Sequence, residues 1–374
     1  MAARIKSAFF IMNTITANSG GIMSRKNIFE ITRKVIAAAL LFSLLIISQA
    51  GCGNKEPVIG TDECLDTACE IAIYGFNRNE AEETIAEGFK VIEESEALLS
   101  KTVNGSDVDK INSAAGEEVE ISETTRETVA VGLEMGEISG GSFDITIGRL
   151  TDLWDFKASD PQVPSANEIG KACETVDYRQ VELAGNNISL RNIRAKIDLG
   201  GIAKGYIADR IKDFWHAFDI SSGIIDLGGN LLLVGPQPKH DDTLWRIGVQ
   251  NPHDARGSAI GVVVTSECSI VTSGIYERHL EVDGKSYHHI LDSKTGYPKQ
   301  NNLASVTVFS KYSIDGEIET TNLFFAGEPV KDWGKDNPNL LGAVFVTTDN
   351  KIYLSKFTPN DFHLLSDEFK VIQH

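Results

Sequence analysis

The segment from Lys196 to Asp209 reads Lys-Ile-Asp-Leu-Gly-Gly-Ile-Ala-Lys-Gly-Tyr-Ile-Ala-Asp and carries the strongest structural signal in the chain. An extended run over 195–199 is followed by two glycines, and apolar residues then recur at helical spacing over 202–218. A strand, a glycine turn and a helix in this order present backbone N–H groups and the positive end of the helix dipole to an anion. Lys204, in the first predicted helical turn, adds a positive charge. The segment predicts a phosphate site, and a turn whose glycines serve only packing is the alternative.

The regions around this turn alternate between helical and strand periodicity. Helices are predicted at 79–100 and 123–135. Strands are predicted at 68–74, 188–190, 223–227, 231–234, 245–249, 260–264, 305–309 and 341–347. The strand-rich second half, flanked by helices, indicates an α+β fold with layered sheets rather than a doubly wound nucleotide-binding fold.

Composition limits the class of protein and the kind of ligand. The 374 residues are 42% apolar and 24% charged, enough to bury a full core. No repeat or long linker interrupts the chain after residue 60, so one domain is predicted over 62–374. The net charge of −18 disfavours nucleic acid and anionic lipid head groups as ligands. An anionic dinucleotide would therefore need a local cation.

The N-terminal region resembles an export signal. Basic residues at Arg25, Lys26, Arg33 and Lys34 precede an apolar run over 35–48 that is short for a membrane span. The run ends in Gln49-Ala50-Gly51-Cys52, which resembles a bacterial lipobox. We predict a lipoprotein signal peptide over 1–51, with Met23 as an alternative start, lipidation of Cys52 and a tether over 52–61. The protein would then be exported and anchored in a membrane, facing the periplasm or the cell exterior, and an uncleaved signal anchor is the alternative.

Several blocks together resemble the ApbE family of FAD:protein FMN transferases. The segment 198–209 resembles the signature of that family, and the other blocks follow in the family's order: 65–67, 142–148 with 153–154, 226–230, 273–278, 288–298 and 321–327. The resemblance implies an ApbE-like fold, a T-fold-like antiparallel sheet core flanked by helices. It also implies FAD as substrate, Mg²⁺ as cofactor, and transfer of FMN to a Thr or Ser hydroxyl of an exported redox protein, with loss of AMP.

The resemblance assigns the FAD contacts residue by residue, to Leu65, Ser142, Phe143, Asp144, Asp198, Lys204 and Leu291. Apolar Phe143 and Leu291 suit a flavin or adenine face, and the two carboxylates suit ribose or ring N–H groups. From the residues alone, Phe143 is equally compatible with core packing.

The implied magnesium ligands are oxygens: the backbone carbonyls of Gly201 and Thr320, the carboxylate of Glu317 and the hydroxyl of Thr321. Such hard oxygen donors suit Mg²⁺. The family usually has Asp at the position of Glu317, and Asp315 is a candidate replacement. An ordinary solvated helix face is the alternative interpretation of Glu317 and Glu319.

The predicted catalytic residues are His289, Asp198 and Lys204. His289 is favoured as the base that takes the acceptor's proton, because imidazole titrates near neutrality. Asp292 and Asp198 remain alternative bases, and a structural role for His289 remains open. Two other functions also remain open: a metal-dependent FAD pyrophosphatase and a non-catalytic FAD-binding lipoprotein. Cys64 and Cys69 would form a disulfide in an oxidising compartment or remain free thiols.

Overall fold

The computed structural model describes residues 56–156, 158, 161–239, 242–358 and 360–373. Within these residues the chain forms seven α-helices and seventeen strands, together with a 3₁₀ turn. The helices are α1 (Arg78–Leu99), α2 (Asp107–Ser113), α3 (Glu123–Ile138), α4 (Gly148–Trp154), α5 (Ala166–Cys173), α6 (Ala203–Ala217) and α7 (Ser313–Ala326). The 3₁₀ turn spans Tyr178–Gln180.

The strands are β1 (Val58–Cys64), β2 (Thr67–Ile73), β3 (Val119–Glu120), β4 (Val181–Ala184), β5 (Asn187–Leu190), β6 (Gly223–Leu227), β7 (Asn230–Val234), β8 (Trp245–Gln250), β9 (Ala259–Thr265), β10 (Ser269–Gly274), β11 (His279–Val282), β12 (Lys285–His288), β13 (Leu303–Ser310), β14 (Leu340–Thr347), β15 (Lys351–Ser355), β16 (Phe362–Leu364) and β17 (Lys370–Ile372).

A nine-stranded sheet in the order β1-β2-β6-β7-β10-β13-β14-β15-β17 organises the fold. All its pairs are antiparallel except β15 with β17. Smaller sheets form from β16-β9-β8, from β3-β5-β4 and from β11-β12. The layered α+β fold expected from the sequence, with a large antiparallel sheet and flanking helices, is confirmed.

Helix α6 lies against the sheet because its apolar residues fall on one side. Ile207, Ile211 and Trp215 are fully buried, at the helical spacing expected for a core-facing stripe. They belong to a core cluster that also contains Ile71 of β2 and Ile225 of β6. This packing fixes the start of α6, and with it Lys204, relative to the sheet.

The strand predicted over 195–199 is wrong. Only one parallel bridge forms there, between Ile147 and Lys196. The backbone of Ile197 bonds to a side chain instead: its N–H donates to Asn112 Oδ1 at 2.7 Å, and its carbonyl accepts from Asn112 Nδ2 at 2.9 Å. Because one asparagine satisfies both backbone groups, the segment is extended without being part of a ladder.

The predicted start of the folded domain at 62 is too late. Strand β1 begins at Val58 and pairs along its whole length with β2. The tether predicted over 52–61 therefore overlaps a strand of the main sheet.

No helix in the described part of the chain is long and apolar enough to cross a membrane. The predicted signal peptide over 1–51 and the predicted lipidation site at Cys52 lie outside the described residues. Both stay predictions.

Candidate active site

The glycine turn between Asp198 and α6 leaves backbone donors free. The N–H groups of Ile202 and Ala203 both bond to the Leu199 carbonyl, at 3.0 and 2.9 Å, and α6 begins without a side-chain cap. Among the described residues, no acceptor takes the N–H of Gly201 or Lys204. Unpaired N–H groups at the start of a long helix favour an anion. The local geometry of the predicted phosphate site is thus present.

Asp198 is held by the fold rather than free to act as a base. Its Oδ2 accepts from Thr151 Oγ1 at 2.7 Å and lies 3.1 Å from Lys101 Nζ, and its Oδ1 accepts from the Gly200 N–H at 2.9 Å. Burial acts to raise the pKa of Asp198, but the charge of Lys101 and these hydrogen bonds hold it below its usual value. A carboxylate with a lowered pKa and both oxygens engaged is a poor proton acceptor.

Sequence reasoning missed Lys101. Its ammonium also contacts Thr151 Oγ1 at 2.6 Å and Asp152 Oδ1 at 2.8 Å. Burial acts to lower the pKa of Lys101, but the charges of Asp198 and Asp152 raise it above its usual value. Lys101 is distant in sequence from the glycine turn, so no local motif connects it to Asp198. It anchors Asp198 and α4 to each other.

Helices α6 and α7 come into backbone contact at Gly205. A Cβ atom at that position would lie 2.7 Å from both Ile314 Cα and the Ser313 carbonyl oxygen, so only glycine allows this approach. The contact brings the first turn of α6 beside the first turns of α7. The two sequence segments assigned to phosphate and to metal are therefore adjacent.

Lys204 and Glu317 meet across this helix contact. Lys204 Nζ lies 3.3 Å from Glu317 Oε1, and the same oxygen accepts from Asn230 Nδ2 at 2.8 Å. Glu317 is only 7% exposed, so the interpretation of this residue as part of a solvated helix face is wrong. Glu319, by contrast, is half-buried and accepts from Trp333 Nε1 at 2.6 Å.

The oxygens near Glu317 fit a hard divalent cation in their chemistry. Among the described residues no hydrogen-bond donor reaches Glu317 Oε2, and no backbone N–H donates to the Gly201 carbonyl. Thr320 and Thr321 each donate their hydroxyl to the Glu317 carbonyl at 3.1 Å, which leaves oxygen lone pairs on both hydroxyls. No cluster of three or more His, Cys, Asp or Glu side chains occurs in the described residues, so carbonyls and hydroxyls would supply the remaining ligands.

The Thr320 carbonyl and the alternative ligand Asp315 are weaker candidates for binding the metal than the other residues considered. The Thr320 carbonyl lies inside α7, where carbonyls accept the helical hydrogen bond. Asp315 is also on α7, and burial followed by repulsion from Glu319 raises its pKa, which disfavours the ionised form that a metal ligand needs. Glu317, Thr321 and Gly201 are the stronger candidates, and the whole ligand set stays a prediction.

His289 keeps one ring nitrogen available as a proton acceptor, although its lowered pKa makes it no stronger a base than a carboxylate. Its Nδ1 lies 3.2 Å from the Arg278 carbonyl, which can only accept, so Nδ1 carries the proton and Nε2 keeps its lone pair. Burial lowers the pKa of His289 to about 4, and the charges of Arg278 and Lys204 act in the same direction. The imidazole is therefore neutral at physiological pH. The contact with a carbonyl expected of a structural histidine is present, and it also fixes the tautomer that leaves Nε2 available.

Asp292 is a weaker candidate for the base. Its Oδ1 accepts from the Lys294 N–H at 2.9 Å, and its Oδ2 pairs with Lys299 Nζ at 3.1 Å. Burial opposes these contacts, but together they lower the pKa of Asp292 below its usual value.

The predicted FAD residues divide into those beside the turn and those used by the fold. Phe143 is buried, and its ring packs 3.3 Å from the position of a Cβ on Gly201. Asp144 accepts from the Thr146 N–H at 2.8 Å and from the Tyr178 N–H at 2.9 Å. Both of its oxygens therefore brace the loop, although burial raises its pKa. Leu291 is buried in a separate cluster with Trp154.

Ser142 and Leu65 are more accessible than these three. Ser142 is half-buried next to Phe143, and Leu65 is half-buried in the β1–β2 turn with a positive φ of 54°. The Leu65 N–H donates to Glu96 Oε2 at 3.1 Å, which ties this turn to α1. Cys64 and Cys69 flank the turn as free thiols, with Cys69 Sγ 3.4 Å from the Cys64 carbonyl. Direct FAD contacts of all seven residues stay predictions.

A glycine turn with free N–H groups, a lysine and a buried carboxylate on a layered α+β fold is an arrangement that suits a phosphorylated ligand. The sequence model of the ApbE family matches residues 65–345, and the chain belongs to that family. It is 35% identical to the FAD:protein FMN transferase of Klebsiella pneumoniae over 76% of this chain and 88% of that protein. It is 31% identical to the enzyme of the same name from Treponema pallidum, over 76% of this chain and 83% of the relative.

Solved structures show the same fold. The crystal structure of the ApbE protein from Thermotoga maritima superimposes with a TM-score of 0.72 at 30% identity, covering 80% of this chain and 97% of that one. The flavin transferase ApbE from Vibrio cholerae superimposes with a TM-score of 0.68 at 25% identity, over 81% of this chain and 99% of its own. The sequence resemblance is thereby confirmed at the level of family and fold.

Proposed function

We propose that this chain is an FAD:protein FMN transferase that moves FMN from FAD to a Thr or Ser hydroxyl of another protein, releasing AMP. Membership in a family whose relatives carry that name supports the proposal. The observation that carries it is the 3.3 Å approach of Lys204 to Glu317 across the contact between α6 and α7. That approach places the distant carboxylate beside the glycine turn, so a cation held by Glu317 would lie near a diphosphate bound at the turn.

The turn would hold the diphosphate of FAD. The N–H groups of Gly201 and Lys204 and the Lys204 ammonium are donors for phosphate oxygens in a protein whose net charge is −18. Their role is to orient the diphosphate and to stabilise the negative charge that forms on the departing AMP phosphate.

Glu317, Thr321 and the Gly201 carbonyl would hold Mg²⁺ beside the diphosphate. The cation, when bound, would neutralise charge on the phosphate that is attacked. Glu317 suits this role because it is buried and keeps Oε2 without a donor among the described residues. Its side chain is one methylene longer than the Asp usual in the family.

His289 would take the proton. The acceptor hydroxyl oxygen forms a bond to the phosphorus of the FMN half, and the bond from that phosphorus to the oxygen of AMP breaks. The hydroxyl proton passes to His289 Nε2, and AMP leaves as the phosphate anion. The contact between Nδ1 and the Arg278 carbonyl stabilises the imidazolium that forms.

A two-substrate assay tests this function. The protein is incubated with FAD and Mg²⁺, with and without an acceptor domain that carries a Thr or Ser flavinylation motif. We expect flavin covalently bound to the acceptor, detected by in-gel fluorescence and by intact mass. Free FMN and AMP formed at the same rate without acceptor would identify a pyrophosphatase, and FAD bound without turnover would identify a binding protein.

We further propose that the protein acts outside the cytoplasm as a lipoprotein anchored through Cys52, on an exported redox subunit. The basic segment, the apolar run and the small residues before Cys52 support this proposal. Fractionation tests it: the native chain should follow the membrane, and the Cys52→Ser variant should not be lipidated. Equal lipid labelling of both chains would eliminate Cys52 as the anchor.

A further inference from the structure

A chain of buried hydrogen bonds runs behind Glu317 and has no role in the function proposed so far. Asn230, the first residue of β7, is fully buried. Its Nδ2 donates to Glu317 Oε1 at 2.8 Å, and its Oδ1 accepts from Ser313 Oγ at 2.6 Å. Ser313 is also fully buried, and its N–H donates to Asp209 Oδ1 at 2.8 Å. The chain therefore connects α6, α7 and the main sheet at the carboxylate.

The carboxylate of Glu317 fixes the orientation of the amide. A carboxylate can only accept, whereas the Ser313 hydroxyl can donate or accept, so the amide nitrogen of Asn230 faces Glu317 and its Oδ1 accepts from Ser313 Oγ. The flipped amide would place two acceptors, Oδ1 and a carboxylate oxygen, against each other inside the protein. Asp209 in turn holds the Ser313 backbone. Each group in the chain thus fixes the next one.

The asparagine holds Glu317 more firmly than the lysine does. Asn230 is buried and lies 2.8 Å from Oε1, whereas the Lys204 contact is 3.3 Å and its side chain is 28% exposed. Both donors reach the same oxygen, and among the described residues none reaches Oε2. The carboxylate is therefore held through one oxygen while the other stays available.

We propose that Asn230 is a positioning residue for the divalent cation: its amide holds Glu317 Oε1, so that Oε2 is kept available as the metal ligand, and the Ser313 hydroxyl holds the amide in place through Oδ1. The inference rests on the proposed binding of Mg²⁺ at Glu317. Partners that orient a ligating carboxylate typically change metal affinity by about 10 to 100-fold when they are removed.

The test measures Mg²⁺ binding apart from turnover. MgCl₂ is titrated into the full-length protein with FAD present, and both the heat of binding and the shift in Tm are followed. Asn230→Leu keeps the side-chain size and removes both hydrogen bonds, so we expect the half-saturating Mg²⁺ concentration to rise by about 10 to 100-fold. Ser313→Ala leaves the amide in place but removes the donor to its Oδ1, so the amide is held less firmly and a smaller rise in the same direction is expected.

Ser222→Ala is the matched control. Ser222 is also a buried serine, and it donates one hydrogen bond of 2.7 Å, to the Pro236 carbonyl at the opposite end of the β6–β7 hairpin. It should lower Tm about as much as Ser313→Ala does and leave Mg²⁺ affinity unchanged. If Asn230→Leu does not fold, the difference in Mg²⁺ affinity between Ser313→Ala and Ser222→Ala decides whether the positioning role holds.

Two results separate this inference from the function on which it rests. Wild-type Mg²⁺ affinity in folded Asn230→Leu, or equal affinity in the two serine variants, would overturn the positioning role while Glu317→Ala still weakens Mg²⁺ binding. If Glu317→Ala binds Mg²⁺ as tightly as the wild type, the proposed metal site fails and the positioning role fails with it.

Discussion

Two lysine–carboxylate pairs flank the same glycine turn, and they differ in how completely the fold uses them. Before the turn, Asp198 has both oxygens engaged, by Lys101, Thr151 and the Gly200 N–H. After the turn, Glu317 is bonded through Oε1 alone within the described part of the chain, and the Lys204 contact is longer at 3.3 Å. The first pair is saturated with partners and the second is not. Glu317 therefore keeps hydrogen-bonding capacity that a ligand could use, whereas the protein has already used that of Asp198.

The largest effects on transfer rate and stability are expected when Lys204 or Lys101 is replaced by Met, which keeps the length of the side chain and removes its charge. Lys204→Met should lower the rate of FMN transfer by about 100-fold or more, since a donor to the diphosphate is lost. Its effect on unfolding should stay within about 1 kcal/mol, because the lost contact is long and Asn230 still donates to Glu317 Oε1. Lys101→Met should instead destabilise the protein by about 3 kcal/mol, because its ammonium holds two carboxylates, Asp198 at 3.1 Å and Asp152 at 2.8 Å.

Urea unfolding and single-turnover assays on both Met variants check this contrast. Similar losses of stability in the two variants, with activity falling only in proportion, would remove the distinction between a saturated and an unsaturated pair.

Substitutions of Glu317 test the role of the carboxylate in the second pair. Glu317→Asp should keep transfer within about threefold of the wild type or improve it, since Asp is usual at this position in the family and retains an oxygen donor for Mg²⁺. Glu317→Ala should raise the Mg²⁺ concentration for half-maximal rate by at least about 10-fold. The measurement is the Mg²⁺ dependence of flavin transfer in the three proteins. Unchanged Mg²⁺ dependence in Glu317→Ala would show that Glu317 is not a ligand.

The smallest effect is expected for Asp209, and it is a change of protein stability with pH. Burial raises the pKa of Asp209 to about 6, although the N–H groups of Ser313 and Ile314 act to lower it. The folded state then binds more protons than the unfolded state between the ordinary pKa and about 6. The contribution of Asp209 to stability is therefore fully present below that window and is lost as pH rises through it.

Relative to Asp209→Asn, the wild type should gain about 1 kcal/mol of unfolding free energy from pH 7 to pH 5. Urea unfolding of both proteins at the two pH values measures this difference. A difference that does not change with pH would indicate an ordinary pKa for Asp209.

Local patterns in the sequence predicted the elements that bury an apolar stripe. Helix α6 was expected over 202–218 and forms at Ala203–Ala217, because its apolar spacing decides which side faces the sheet. The glycine turn and Lys204 were likewise readable from adjacent residues. The strand predicted at 195–199 does not form. Its apolar residues are buried as in a strand, but the backbone of Ile197 bonds to the Asn112 side chain.

The hydrogen-bond and ion-pair partners of the site residues cannot be predicted from local sequence, because they come from distant segments of the chain. Lys101 reaches Asp198 across 97 positions, and nothing around residue 101 signals a buried cation. The block 226–230 contributes to the family resemblance, but nothing near Asn230 points to Glu317, because the two residues are 87 positions apart. Periodicity reports which residues face the core, whereas hydrogen bonds between distant segments depend on the completed fold.

The contact at Gly205 has a consequence for the dimensions of the site. Lys and Glu side chains are long and flexible, and by themselves they would meet over a range of separations between helices. Here the separation is set by backbone touching backbone, since a Cβ at 205 would come within 2.7 Å of α7. Gly205, which has no side chain, thus sets the distance between Lys204 and Glu317. A single added methyl group there would widen that gap while leaving the chemistry of each charged group intact.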